Sequence, residues 1–524
     1  MTATAPRPAA RGAGSGDVSR PEAAVHVAPL RRAHLAVILG GLVLVAAVVL
    51  HFVATGPLWL DESLSVEIAR RPLSGMFTAL RHDGSPPLYY LLLHGWIALF
   101  GDSTVAVRTL SSVLSLFALP LAWVVGKEVG GRRLAGPMLL VTATTPWALR
   151  YATETRMYSL VLVEVLAGIV LLLRARRDPS WPRLLGVTVI TAALAYTHYW
   201  TFYLLLPVAG WLLWRRQWRL IGAMAAAIVP FAPWLPSFVY QMRYTGTPWA
   251  APADFGIFRT TLMQWGGPGQ IGSLLALLMI PLALLGCCAL RRPAAGESLG
   301  LRPLGVPGVR ALAAFAVAPL LVDVVLGSVL HSGYALRYTA VCLPFYLLLL
   351  ARGLSVLPGD RLRNGTLGVV LVAGLLGGLD TATTSRTQAG EIASALAAAA
   401  RPGDVVAYCP DQLAPAVHRA LAPGLGLREL PYADPAGPAL VNWVDYSKRV
   451  HALPPATFAQ QALTAAGGGH AVWLVTQGGY RVYGNRCSQV EDVLSGSRGA
   501  PAIVVGSDGG IFERATLARF PGSD

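Results

Sequence analysis

RRAHLAVILGGLVLVAAVVLHFVATGPLWLDES, residues 31–63, is the stretch from which the rest of the chain can be read. Its apolar run from Leu35 to Ala54 has the roughly 20 residues a helix needs to cross a bilayer. It is longer than a signal-peptide core and no convincing cleavage site follows, so a retained signal anchor is expected. Arg31 and Arg32 precede the run and Asp61-Glu62 follow it. Because Lys and Arg accumulate on the cytoplasmic side, this places the N-terminus inside and the acidic pair outside. Residues 1–30, rich in Ala, Pro, Gly and Arg, have nothing to bury and read as a disordered cytoplasmic tail.

The same pattern repeats along the chain. Of the 524 residues 54% are hydrophobic and 13% charged, a balance that puts most of the protein in lipid. Further spans are expected near 104–126, 134–150, 157–173, 183–198, 202–214, 220–237, 271–290, 311–330, 338–351 and 366–380, about eleven in all with the first. Every second connection is basic: Arg132-Arg133, Arg174 to Arg177, Arg215 to Arg219, Arg291-Arg292 with Arg302 and Arg310, and Arg352 through Arg363. The formal charge of +15 therefore reads as membrane topology, and nucleic acid is not expected as a partner. Connections 55–103, 151–156, 199–201, 238–270 and 331–337, with everything after about Thr381, must then share the outward face. For this parity to hold, the apolar run Pro86 to Phe100 must lie along or dip into that surface without crossing.

Beyond Thr381 the character changes. Short β-rich runs at 404–408, 471–475 and 502–505 alternate with helix-like stretches near 391–400, 412–422, 456–466 and 487–495, which predicts a small extracytoplasmic α/β domain over 386–524 after a membrane domain over 31–385. Cys409 and Cys487 lie in this part. They read equally well as a disulfide or as two unpaired buried thiols.

Chemistry is expected where ionisable groups gather beside the membrane. Asp61 and Glu62 also suit the positive end of a helix dipole, which would be a purely structural role. Other groups on the same face weigh against that: His82, Asp83, Arg108, then Glu154, Arg156 and Tyr158, then His331 and Arg337. The opposite face holds mostly arginines that topology already explains.

These residues, in this order, resemble the C superfamily of membrane glycosyltransferases (GT-C), specifically those like the protein O-mannosyltransferases and the lipid A aminoarabinose transferase. The resemblance runs from Leu58 to about Leu350. It rests on Asp61-Glu62 after the first span, Asp83 with Pro86-Pro87-Leu88-Tyr89-Tyr90, Phe100-Gly101 followed by Arg108, Glu154-Thr155-Arg156-Met157-Tyr158, and Arg337-Tyr338 followed by Pro344. It implies an extracytoplasmic active site and a polyprenyl-phosphate sugar, mannose by analogy, as donor. It also implies Asp61 as general base, with Glu62 orienting acceptor groups or sharing that task. Arg337 suits a leaving phosphate, since guanidinium makes bidentate contacts to phosphate oxygens. His331 is a second, weaker candidate there. Arg108 would pair with Glu62 or Asp61, while His82, Asp83, Glu154, Arg156 and Tyr158 would support the acceptor side. The acceptor would be a hydroxyl of a glycan, glycolipid or protein of the cell envelope.

Other readings compete. A transporter would place polar groups near mid-membrane and show internal repeats; only Glu164 and Asp323 suggest it. Tyr196-Thr197-His198-Tyr199-Trp200 reads best as an interfacial aromatic belt, with sugar stacking a lesser alternative. Tyr432, Trp443 and Tyr446 are explained by core packing at least as well as by binding. Asn364-Gly365-Thr366 matches a glycosylation signal but falls on the cytoplasmic side. The chain lacks a Gly-rich phosphate loop followed by Lys-Ser/Thr, which disfavours a soluble nucleotide sugar. Asp61 and Glu62 could hold a divalent ion, yet such sites want more oxygen ligands, so no metal site is assigned. No cofactor is expected beyond the lipid-linked donor itself.

Overall fold

The computed structural model describes residues 28–290, 299–303, 305–330 and 333–522. Residues 1–27 of the expected tail, Arg291-Arg292 and His331 lie outside the described residues, and residues 28–30 already belong to the first helix.

Each stretch expected to span falls on a helix. The N-terminal half runs through α1 (Ala28–Leu50), α2 (Leu60–Ala69), α3 (Leu73–Asp83), α4 (Leu88–Phe100), α5 (Thr104–Gly130), α6 (Arg132–Thr144), α7 (Pro146–Ala152), α8 (Tyr158–Arg177), α9 (Trp181–Thr197) and α10 (Thr201–Trp214). It continues through α11 (Trp218–Ala226), α12 (Ile228–Phe231), α13 (Leu235–Tyr244), α14 (Gly256–Trp265), α15 (Gly269–Cys288), α16 (Arg310–Leu330), α17 (Leu343–Val356) and α18 (Asp360–Thr383). Among the described residues six helical segments are long and apolar enough to cross a membrane, against the eleven spans expected, and one of them, Trp218–Tyr244, joins α11 to α13. Prolines set the departures from expectation. The span expected at 134–150 is two helices, because Pro146 pushes Thr145 into an extended conformation and opens α7. The span expected from 338 begins as a 3-10 turn, Leu336–Val341, and becomes α-helical only at Leu343, with Pro344 in its first turn.

Packing is close where side chains are small. Gly286 on α15 faces Gly353 on α17, and a Cβ on either would fall 1.9 or 1.8 Å from a carbonyl oxygen of the facing helix. Only glycine permits that approach. The 13-residue α4 rises about 20 Å, short of the roughly 30 Å hydrocarbon core. It packs on α2 and α5 and exposes Leu91, Leu92, Leu99 and Phe100.

After α18 come α19 (Ala389–Ala399), β1 (Val405–Cys409), α20 (Ala414–Ala420), β2 (Arg428–Pro431), α21 (Tyr446–Ala452), α22 (Pro455–Ala466), β3 (Val472–Thr476), α23 (Arg486–Arg498), β4 (Ala502–Val505) and β5 (Thr516–Phe520). The strands form one sheet in the order β2-β1-β3-β5-β4, parallel across the first three and antiparallel at β5 and β4. The sequence reading missed β2, β5 and α21. Of its open alternatives for the cysteines, the structure takes the disulfide: Cys409, ending β1, is bonded to Cys487 on α23. Trp59, Leu60 and Leu64, at the start of α2, are buried in the same apolar cluster as Val405, Tyr432, Phe458 and Val472. The helix that carries the acidic pair is thus packed into the C-terminal region as well as the membrane helices.

Candidate active site

Asp61 and Glu62 fall in the first turn of α2, where successive side chains point about 100° apart. They consequently enter different surroundings.

Asp61 faces a cavity of about 690 Å³. Its Oδ2 lies 3.4 Å from Nη2 of Arg337 and 3.8 Å from Nε of Arg156. Arg337 comes from the 3-10 turn before α17 and is held over the ring of Trp249 at 4.7 Å, with Tyr338 at 5.6 Å and Trp59 at 5.7 Å. Burial disfavours its charge, but the Asp61 carboxylate outweighs this and leaves the guanidinium even harder to deprotonate than usual. Arg156, in the connection between α7 and α8, donates to Ser65 Oγ and to the Tyr90 hydroxyl, both at 3.1 Å. Tyr90 in turn donates to Asp83 at 3.2 Å. Burial raises the Asp83 carboxyl above its usual range despite Arg156. Asp61, Asp83, Arg156 and Arg337 all line the cavity.

Glu62 turns away from it and is fully buried. Arg108, on α5, grips it with two bonds of 2.8 and 2.7 Å, the Thr155 N–H donates at 3.0 Å, and Arg386 lies at 3.5 Å. Burial alone would raise this carboxyl; Arg108, then Arg386 and Thr155, more than offset that and hold it low. Glu154 sits behind, 3.3 Å from Arg150 and 4.0 Å from Arg386, with its carboxyl raised by burial. Arg386, just beyond α18, also donates to the Thr153 carbonyl at 2.7 Å. Burial lowers its pKa to about 10. Sequence reasoning missed this residue, because a single arginine after a span looks like any other. Glu62, Arg108, Glu154 and Tyr158 form a layer behind the cavity, outside its lining. Tyr158 packs edge-on against Tyr151 and at a tilt against His198. His82 is exposed and contributes its carbonyl to the Trp443 N–H at 3.0 Å.

The remaining walls come from two places the sequence had valued less. His198, Tyr199 and Trp200, read as an aromatic belt, line the cavity. The C-terminal region, where no site had been singled out, supplies Gln412 after β1, Gln477 to Val482 after β3, Trp443, and Phe512 to Arg514 before β5. The carboxyl edge of parallel strands is where open α/β sheets commonly bind ligands. Of the three aromatic candidates there, Trp443 reaches the cavity, whereas Tyr432 and Tyr446 are core residues.

Six connections assigned to one face by charge parity therefore converge on one cavity. On the other face Glu128, ending α5, pairs with Arg174 at 2.9 Å and with Arg177, both ending α8. Glu164 and Asp323 do not line the cavity, which removes the feature that favoured a transporter. No group of three or more His, Cys, Asp or Glu side chains arranged to hold a metal occurs among the described residues.

Membrane helices, a short apolar helix packed on α2 and α5, and a charged cavity capped by a small sheet define a membrane protein of the GT-C fold. Residues 84–237 match the family model described as dolichyl-phosphate-mannose-protein mannosyltransferase. The fold is similar to that of ArnT from Cupriavidus metallidurans bound to undecaprenyl phosphate, with a TM-score of 0.54 and 13% identity over 94% of this chain and 98% of that one. The apo state of ArnT gives 0.55 at 12% identity over the same shares. No curated protein matches the chain in sequence. Family model and fold together bear out the resemblance drawn from the motifs.

Proposed function

We propose that the protein is a glycosyltransferase that moves a sugar from a polyprenyl-phosphate carrier to an acceptor hydroxyl, with Asp61 as general base. The observation carrying this reading is the 3.4 Å contact between Asp61 and Arg337 inside one cavity. A carboxylate and two guanidiniums around one point suit a displacement in which charge moves from nucleophile to leaving group. The acceptor oxygen bonds to the anomeric carbon while its proton passes to Asp61. The bond from that carbon to the phosphate oxygen breaks, and Arg337 and Arg156 take the phosphate's charge. Glu62, Arg108, Arg386 and Glu154 act behind this centre, fixing α2 and the connection that carries Arg156. Tyr199, Trp200 and Phe238 give the cavity an apolar side suited to a lipid donor.

Mannose is proposed as the sugar by analogy with the matching mannosyltransferase family model, and undecaprenyl phosphate as the carrier by analogy with the ArnT complex. The site is assigned to the extracytoplasmic face of the plasma membrane, with residues 386–524 as an extracytoplasmic domain and a cell-envelope hydroxyl as acceptor. The parity of basic connections supports this, as does the Cys409–Cys487 disulfide, since such bonds persist in oxidising compartments. The test is transfer by purified protein in lipid nanodiscs offered a panel of polyprenyl-phosphate sugars. Transfer from one of them should be seen, and Arg337→Ala should raise the donor KM by about 10- to 100-fold. Turnover of a nucleotide sugar with no lipid-linked donor present would overturn the reading.

A further inference from the structure

Glu513, in the segment entering β5, is a buried carboxyl on the C-terminal wall of the cavity. Its Oε1 accepts the Leu60 N–H, the first of α2, at 3.0 Å. Its backbone is tied on both sides: its N–H donates to the Arg386 carbonyl at 2.9 Å and its carbonyl accepts from the Gln388 N–H at 3.1 Å. Next to it, Phe512 meets the Trp59 ring edge to face at 5.3 Å. One short segment therefore holds the residue before α2, the first N–H of α2, and the chain that carries Arg386. The other carboxyl oxygen, Oε2, is buried as well, and the Thr387 hydroxyl is a further side-chain partner of the carboxyl.

We infer that Glu513 is a positioning residue of the transfer reaction: it clamps the start of α2 so that the Asp61 carboxylate stands against Arg337, and it makes the C-terminal region part of the active site. This rests on the reading of Asp61 as the base. Asp61 follows directly on the peptide that Glu513 holds, and a base displaced by about 1 Å can lose as much as 100-fold in rate.

The surroundings of the carboxyl give the clamp a pH signature. Burial raises it to about 8, against the Thr387 hydroxyl and the Leu60 N–H, and with the Asp61 and Glu62 charges adding to the rise. Tyr480 and Arg514 line the same wall. At neutral pH Glu513 is therefore a neutral acid. As pH rises through about 8 it becomes a further anion beside Asp61, facing a cavity that has to admit a phosphate.

Glu513→Ala and Glu513→Gln in the full-length chain test this. The alanine variant is expected to lower kcat by about tenfold with little change in donor KM. The glutamine variant keeps an oxygen for the Leu60 N–H, and should restore most of that loss at pH 7 and abolish the fall in activity between pH 7 and 9 (about one unit either side of the Glu513 value). Hydrogen exchange of the peptide 58–69 reads the clamp without reference to turnover: exchange should quicken in the alanine variant and return to wild type in the glutamine variant. Unchanged exchange in Glu513→Ala would overturn the inference whether or not transfer is detected. So would a wild-type kcat in that variant, or an alkaline fall retained by Glu513→Gln. Loss of transfer in wild type with the exchange pattern as expected would instead sink the donor reading and leave the clamp standing.

Discussion

The membrane wall of the cavity and the C-terminal wall are held by different forces. Behind Asp61 two buried carboxylates and two buried arginines neutralise one another: Glu62, Glu154 and Arg108 from the membrane part, and Arg386 where the chain leaves α18. On the C-terminal side, apart from the Glu513 bond to the Leu60 N–H, the support is apolar, with Trp59 before α2 and Leu60 and Leu64 on it set among Val405, Tyr432 and Phe458, and it is closed covalently by Cys409–Cys487. The first arrangement is unforgiving. A buried ion pair contributes little net stability, but removing one member leaves the other stranded. The second degrades gradually, because apolar contacts are many and individually small.

Asp61→Asn breaks the comparison most sharply. It should cost about 10³-fold in kcat, within the range for a general base, while melting temperature and donor binding stay near wild type. A folded Asp61→Asn enzyme with full kcat would leave the base unassigned. Its neighbour should behave in the opposite way. Glu62→Ala strands Arg108 and Arg386, so a loss of about 3–5 kcal/mol of stability and of folded yield is expected, read by thermal unfolding in detergent. Because the folded Glu62 carboxyl is held below its usual range, its stabilisation is full above the unfolded value and lost as pH falls through the folded one. Wild type should therefore weaken in acid, and a folded Glu62→Gln should weaken less.

On the C-terminal wall, replacing Cys409 and Cys487 together by serine should cost about 2–4 kcal/mol, with donor KM unchanged. A raised donor KM in that variant would blur the distinction between the walls. The smallest effect is expected at the partly exposed His418, whose ring Nδ1–H donates to the Glu429 carboxylate at 2.7 Å. The Glu429 bond raises the imidazole pKa. The stabilisation is thus complete below the unfolded value and lost as pH rises through the folded one. His418→Asn should cost no more than about 1 kcal/mol at pH 5.5, one unit below the reference value, and nothing at pH 9.

Legibility differed between the walls for the same physical reason. Asp61, Arg156 and Arg337 stood out because a charge beside a bilayer is expensive and conspicuous among apolar runs. Arg386 carried the same charge but followed a span, where arginine is unremarkable. Glu513 and Trp443 lay in a polar segment of ordinary composition, and nothing local marks a residue whose partner, Leu60, is 453 positions away. The aromatic residues 198–200 read as an interfacial belt in the sequence, since tyrosine and tryptophan serve a membrane surface and a sugar site equally well.

Length of apolar run, spacing of arginines and the position of prolines are properties of the chain itself. They sufficed for the helical, membrane character of the N-terminal part, for the convergence of the charged connections on one cavity and for the α/β character of the end, though not for the number of full-length spans. Which of two adjacent carboxylates faces the cavity, which cation each one meets, and that the small sheet closes the site depend on distances between segments hundreds of residues apart. Those distances arise from packing, where every group responds to all its neighbours at once, and a linear pattern does not carry that information.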